Sequence, residues 1–483
     1  MNHKLVFKNL GYVLVCEACL MLIPLATAVI YRGKDISSFT LSIIITAVAG
    51  AALVLIRTDN KTVHPKEGVA IVSISWVLIS LFGALPFYIS GTIPNFIDCL
   101  FETVSGFTTT GATILTEIES LEKGILLWRS FTHWIGGLGV LVFFLAILPK
   151  TEATSLNIMN VESTGPKKDK MLPRTGQVAK VLYLLYSALT IVLVVLLLAG
   201  GMPLFDAFIH AFGTAGTGGF SNKNISVGFY ESAYINIVLS VFMLMFGTNL
   251  SLVYFAVKGN VKSLFTDSEF RFYVSVVGLA TISIAFSIYG THFRTFSEAL
   301  MHAFFQVASI ITTTGYATTD FNHWSYFCKM ILLLLMFVGG CAGSTAGGLK
   351  NIRILLLLKT ALRDLAKIIH PKAVKTVKIN GKNVEEGVLS AVSLFFFAYI
   401  FIFFLTSLVL TLEGHDFEIA FSAAATCISN VGPGFGAVGP MGNFSIMSDK
   451  ATILLTLNML IGRLEIFPIL MLLVPSFWKR VNI

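Results

Sequence analysis

Four times in this chain a short apolar run passes into a stretch of Thr, Ser, Asn and Gly and stops on a glycine. The four stretches are Thr108-Thr109-Thr110-Gly111, Gly216-Thr217-Gly218-Gly219, Thr312-Thr313-Thr314-Gly315 and Ser429-Asn430-Val431-Gly432, with terminal glycines 108, 96 and 117 residues apart. One such stretch is a loop. Four, in the same order relative to their apolar flanks, imply four copies of one supersecondary unit set around a common axis. Backbone so arranged presents a ring of carbonyl oxygens, the means by which a cation filter replaces a hydration shell.

The flanks decide the solvent. Hydrophobic residues make up 55% of the 483 and charged residues 12%, about half the charged share of a soluble protein, roughly 25%. Mean hydropathy is +0.82. Segments near 10–31, 38–56, 68–90, 124–148, 178–201, 233–257, 272–290, 326–365 (interrupted), 385–412 and 450–476 each reach the ~20 residues needed to cross a bilayer. The first lacks a small-residue cleavage site, so it reads as a span rather than a signal peptide. Between spans three and four, five and six, seven and eight, and nine and ten lies a shorter apolar run ending in a glycine stretch. The expected fold is therefore an all-α polytopic membrane protein of four tandem helix–pore-loop–helix repeats around one pore, at 61–150, 175–260, 268–368 and 383–483, with two extra transmembrane helices in 1–60. Six cysteines (Cys16, Cys19, Cys99, Cys328, Cys341, Cys427) show neither metal-ligand spacing nor a disulfide framework and read as core residues.

The net charge of +8 would suggest nucleic acid in a soluble chain. Here position decides its meaning. Of 34 Lys and Arg, 25 lie at the termini or in loops opposite the glycine turns, nine of them between Lys350 and Lys382. The positive-inside rule then places both termini in the cytoplasm and the turns outside. This charge suits anionic membrane lipids or a cytoplasmic partner, not nucleic acid.

Aligned on the last glycine, the four turns agree column by column. Three residues earlier stand Thr108, Gly216, Thr312 and Ser429; two earlier, Thr109, Thr217, Thr313 and Asn430; six earlier, Ser105, Gly213, Ser309 and Thr426. Non-helical backbone at membrane depth is tolerated only where it lines water or protein, and glycine takes angles closed to other residues. The expected cation ligands are thus Thr109, Thr110, Gly111, Thr217, Gly218, Gly219, Thr313, Thr314, Gly315, Asn430, Val431 and Gly432. Each half-helix aims a C-terminus at its turn, where the macrodipole is worth roughly −0.5 charge. Asp98, Asp206, Ser297 and Asp416 near the starts of these runs are expected to act as N-caps rather than ion ligands.

A second glycine cluster, Gly339, Gly340, Gly343, Gly347 and Gly348 with Ser344 and Thr345, interrupts the eighth span. One reading is a close-packing ladder at Gly339, Gly343 and Gly347. A phosphate loop is excluded, because Leu349-Lys350-Asn351 follows rather than Lys-Ser/Thr. The preferred reading is a non-helical intramembrane loop beneath the filter. Arg463 sits inside the last span, where a charge costs at least about 2.5–3.5 kcal/mol and should face the bundle interior. It reads as an electrostatic barrier below the filter, with Ser344 and Thr345 as hydrogen-bonding candidates. The alternative is a structural ion pair with Glu17 or Glu465.

These residues resemble the Trk/Ktr/HKT superfamily of potassium transporters, in particular its TrkH branch. The resemblance covers essentially the whole chain: the four turns, the glycine stretch after the seventh span, His370-Pro371-Lys372-Ala373-Val374, Gly462-Arg463-Leu464-Glu465 and the two extra N-terminal helices. It implies that Gly111, Gly219, Gly315 and Gly432 each contribute to a filter, that Gly339–Gly348 is a gate, and that Gly111 in place of serine favours potassium over sodium. It further implies a homodimer in the bacterial inner membrane and a cytoplasmic TrkA-like nucleotide-binding regulator. The potassium ion is the cargo, and no organic cofactor is expected. Two rival readings make different demands on the chain. An ion-coupled K+/H+ or K+/Na+ symporter would use inverted repeats and midplane carboxylates, whereas these units share one orientation. A membrane enzyme would need His210, His302 and Glu102, on three separate half-helices, to converge.

Overall fold

Apolar runs in lipid must satisfy their own backbone hydrogen bonds, so they become helices, and where they stop is set by glycine and by capping side chains. In the computed structural model, residues 1–58, 63–139, 175–372 and 375–478 are described. The last nine residues of the fourth expected span, and the basic residues Lys61, Lys150, Lys167, Lys168, Lys170, Arg174, Lys479 and Arg480, lie outside them. Among the described residues six helices are long and apolar enough to cross a membrane, or eight if two sharply bent pairs each count as one span.

The N-terminal addition consists of His3–Leu20 running into Leu22–Ile30, and Ile36–Val54. His3–Leu20 packs on Ile36–Val54 and on Pro65–Gly83. Gly11 and Gly50 make the first approach possible: a Cβ on Gly11 would stand 2.7 Å from the Val54 nitrogen, and one on Gly50 2.9 Å from Val15. Small residues at a contact let membrane helices approach this closely.

Each repeat then has a first helix, a short helix and a second helix. The first helices are Pro65–Gly83, Thr175–Ala199, Ser268–Ile288 and Glu386–Leu412. The short helices are Phe96–Phe107, Leu204–Gly216, Phe296–Ile311 and Phe417–Ser429, and the second helices begin at Lys123, Ala233, Tyr326 and Asp449. Every first helix packs on the short helix of its own repeat. Every second helix packs on the short helix of the next: Lys123–Gly137 on Leu204–Gly216, Ala233–Phe246 on Phe296–Ile311, Tyr326–Val338 on Phe417–Ser429, and Asp449–Arg463 back on Phe96–Phe107. The last contact closes the ring, as a head-to-tail interface does when its rotation returns to the start.

The spans are less regular than their composition suggests. The sixth bends by 107° between Phe246 and Leu250, and the tenth by 120° between Arg463 and Phe467. The eighth breaks outright between Val338 and Asn351. In the tenth, Glu465 and Ile466 adopt φ of 56° and 63°, a region that stops a right-handed helix. Among the described residues the all-helical expectation is modified by a small hairpin of two-residue strands, Lys378–Ile379 with Lys382–Asn383.

Of the four expected caps, only Asp416 occupies a cap position, and its side chain makes no capping bond. Asn95 caps Phe96–Phe107 and Thr295 caps Phe296–Ile311, so Asp98 and Ser297 fall inside the first turn. Pro203 precedes Leu204–Gly216, and Asp206 instead bonds Asn222 at 2.6 Å and Tyr230 at 2.8 Å.

Candidate cation pathway

Each short helix ends in the same backbone figure. The residue two before the glycine is left-handed in all four turns: Thr109 at φ 56°, Thr217 at 56°, Thr313 at 55° and Asn430 at 56°. The next residue turns its N–H back to the carbonyl five positions earlier, Thr110 to Ser105 (2.9 Å), Gly218 to Gly213 (2.8 Å), Thr314 to Ser309 (2.8 Å) and Val431 to Thr426 (3.0 Å). This is the 6→1 bond of a Schellman helix end, with Thr or Asn where glycine usually stands. Threonine pays about 1–3 kcal/mol for such angles, and strain of that kind concentrates at functional sites. The column of small residues six before each glycine is thereby explained as the acceptors of these bonds.

The glycines then bring the four turns into one ring. A Cβ on Gly111 would overlap the Gly218 carbonyl oxygen, one on Gly219 that of Thr314, and one on Gly315 that of Val431; one on Gly432 would stand 2.8 Å from the oxygen of Thr110. Each glycine thus abuts the carbonyl of the following repeat, and the fourth returns to the first. All four glycines line one cavity of about 100 Å³ whose walls also include Thr113, Arg129, Phe220 and Asn443. Of the twelve residues expected from sequence, the four glycines and the carbonyls of Thr110, Gly218, Thr314 and Val431 meet in this ring, with Thr109, Thr217, Thr313 and Asn430 at the left-handed helix ends beside it.

Buried polar groups brace this ring from behind. Arg129 donates to Glu102 at 2.7 Å, both side chains fully enclosed, and Glu102 also accepts from Thr113 and from the Ile114 N–H. Arg129 further bonds the Ser221 carbonyl and lies over the Phe220 ring at 4.1 Å, tying repeat 1 to repeat 2. His133 places Nδ1 2.7 Å from the Gly106 carbonyl while Nε2 accepts from the Phe220 N–H at 3.2 Å, which defines the Nδ1–H tautomer. His210 bonds Ser221 and His302 bonds Thr318. Glu102 and His210 are linked through Arg129 and Ser221, while His302 is held separately by Thr318.

The second glycine cluster forms no helix between Gly339 and Lys350, which removes the packing-ladder reading. Gly339, Gly343 and Gly348 have φ of 68°, 73° and 75°. The loop is held by the ring above it. The Gly347 N–H donates to the Thr313 hydroxyl at 2.7 Å, and the Gly348 N–H donates to the Ser429 carbonyl at 2.9 Å. It is held equally by the bend of the sixth span, where Cys341 N–H donates to Gly247, Thr345 N–H to Phe246, and Leu250 N–H to Gly343. Arg463 bridges the loop to repeat 1, donating to the carbonyls of Thr345 (2.9 Å), Gly137 (2.7 Å) and Gly136. Ser344, expected as a partner of Arg463, bonds Cys341 instead. Among the described residues no donor reaches either carboxylate oxygen of the buried Glu17, and Glu465 receives Arg353 at 2.6 Å.

Sequence reading missed the Arg129–Glu102 pair, His133, and the carbonyls of Gly136 and Gly137. An arginine in a glutamate-bearing repeat was visible, but its partner is 27 residues away on another helix. Carbonyl acceptors leave no sequence signal at all.

The fold and this ring define a polytopic membrane protein of the tandem pore-loop class. A family model described as a cation transport protein, TrkH, matches residues 35–480; the chain belongs to the TrkH family. It is 38% identical over 490 residues to the Trk system potassium uptake protein TrkH of Salmonella typhimurium and 37% identical to that of Escherichia coli, each alignment covering 99% of this chain and 100% of the relative. The crystal structure of the potassium transporter TrkH from Vibrio parahaemolyticus is similar at a TM-score of 0.90, with 35% identity, covering 99% of this chain and all of that one.

Proposed function

We propose that this chain carries potassium inward across a bacterial cytoplasmic membrane through the carbonyl ring at Gly111, Gly219, Gly315 and Gly432. Flow is controlled below the ring by the Gly339–Lys350 loop and Arg463. The observation that carries the reading is the closed succession of glycine-to-carbonyl contacts from repeat 1 through 4 and back, supported by relatives of similar length named as potassium uptake proteins. An inside-negative potential supplies about 2.3 kcal/mol per charge per 100 mV, enough to drive entry without a second ion. Arg463 opposes a cation under the ring and pins the loop to repeat 1. The Thr313 hydroxyl links that loop to the ring, so opening the loop alters the filter's inner edge. The basic segment between Lys350 and Lys382 suits a cytoplasmic TrkA-like nucleotide-binding regulator acting on a homodimer. Rubidium uptake into liposomes containing the purified protein tests the proposal: it fails if uptake is absent, or persists unchanged when Gly219 and Gly315 are replaced by bulky residues.

A further inference from the structure

A cavity of about 690 Å³ lies between the bent sixth span and the helix Ser268–Ile288, lined among others by Leu244, Val253, Tyr273, Val277 and Gly278. Its walls are almost wholly apolar, so water finds too few partners there. It opens on the outer face of the bundle, where the lining residues Val274 and Ile282 are about half exposed (49% and 52%). Ser268–Ile288 is long and apolar enough to span a membrane, and its contribution runs from Phe270 to Ile282, about 18 Å at 1.5 Å per residue. That is close to one leaflet of hydrocarbon, roughly 15 Å.

Gly278 supplies an independent observation. It sits in mid-helix, where glycine is unfavourable, yet nothing lies within 4 Å of where its Cβ would be. No neighbouring backbone demands a glycine; the missing side chain only widens the cavity. At the end remote from the glycine turns, the lining residues Val257, Leu264 and Phe270 lie within one or two residues of exposed Lys258, Lys262 and Arg271. The acids nearby face inward: Asp267 accepts from Asn380 and Glu269 from the Ala342 N–H.

We infer that this cavity holds one acyl chain of an anionic phospholipid from the leaflet opposite the glycine turns, its headgroup among Lys258, Lys262 and Arg271. The site touches the loop through both walls. Gly247 and Phe246 accept from Cys341 and Thr345, Glu269 accepts from Ala342 at 2.6 Å, and a Cβ on Gly247 would lie 2.8 Å from the Tyr273 hydroxyl and 2.7 Å from Thr312. An acyl chain between these walls holds them apart at the separation that seats the loop, so lipid occupancy regulates flow. This last step rests on the transport reading above; binding does not.

The test uses the purified full chain and phosphatidylglycerol or phosphatidylcholine, with bound lipid counted by native mass spectrometry. The expected result is retention of phosphatidylglycerol. Gly278→Leu and Val274→Phe each weaken it by at least about tenfold, the effect of displacing a few buried methylenes. Leu279→Phe, adding bulk on the same helix outside the cavity, leaves it unchanged. Replacing Lys258, Lys262 and Arg271 by glutamine lowers affinity about fivefold per residue and abolishes the preference over phosphatidylcholine. Rubidium uptake in wild type then depends on phosphatidylglycerol, and in Gly278→Leu it does not. Lipid retained undiminished by both cavity-filling variants, or a shift from dimer to monomer in both without lipid loss, overturns the assignment. Lipid binding as expected without rubidium uptake in any variant leaves the site standing and removes the transport reading.

Discussion

Replacing one ring glycine by alanine should separate the four turns by severity. Alanine carries a strain of about 1–3 kcal/mol at every one of these positive-φ positions, and by this measure alone Gly432, at φ 102° against 79°–86° for the others, would be the most sensitive. Overlap gives the opposite order. A carbon meets a carbonyl oxygen comfortably at about 3.3 Å. Alanine at 432 would meet the Thr110 oxygen at 2.8 Å, needing a shift of roughly 0.5 Å. At Gly111, Gly219 and Gly315 the overlap is deeper, and the carbonyl must move by more than about 0.8 Å. Repulsion at that depth exceeds the strain term and expels a ring oxygen. A dipole withdrawn from a charged partner costs about 1.5–3 kcal/mol, or roughly 10–150-fold in rate. Gly111→Ala and Gly219→Ala should therefore lose about 10–150-fold of rubidium uptake and their discrimination against sodium, while Gly432→Ala loses less than about tenfold. Uptake and sodium competition in liposomes, at matched incorporation, measure both. If Gly432→Ala is the most damaging of the four, strain rather than the carbonyl ring governs these sites and the argument is refuted.

Thr313→Val removes the acceptor of the Gly347 N–H and leaves a buried donor unpaired, costing about 1–3 kcal/mol; uptake in the absence of any regulator should rise, Thr313→Ser should behave as wild type, and equal behaviour of the two variants counts against the link between loop and ring. Arg463→Gln removes a charge that opposes a cation by roughly 2–4 kcal/mol at 4–8 Å and an effective dielectric of 20, so basal uptake should increase at least about tenfold, with Arg463→Lys much nearer wild type; no change in either would exclude a barrier at this position. Arg353→Gln and Glu465→Gln each break a largely shielded ion pair at 2.6 Å and should lower thermal stability in detergent by about 1–3 kcal/mol, whereas exchanging the two residues restores part of it; additive losses without rescue would show that the pair is not coupled.

Much of the architecture was legible because lipid imposes a strict rule on backbone. Runs such as 272–290 and 385–412 correspond to Ser268–Ile288 and Glu386–Leu412 within a few residues. The four glycine turns were recognisable because one backbone figure demands the same small residues at the same offsets. The bends were not legible. The apolar run 233–257 continues through Gly247-Thr248-Asn249 with no proline; in 450–476 the only local sign is Pro468, at the start of the helix after the bend, while neither Glu465 nor Ile466 is a residue that ordinarily adopts positive φ. What bends them is tertiary: the Leu250 N–H is taken by Gly343, and Glu465 by Arg353.

By itself, then, the sequence determined that the chain crosses a membrane, that it repeats one unit four times, and that each unit carries between its helices a turn whose glycine takes angles closed to other residues. Hydropathy and glycine geometry are local properties, readable within a window of one or two helical turns. Which carbonyl each glycine meets, that the fourth unit closes on the first, and that Arg463 reaches across to Gly136 and Gly137 were decided only in the tertiary structure. Those contacts end on backbone carbonyls common to every residue type, more than 300 positions apart at the closing step, and the sequence around an acceptor carries no record of them.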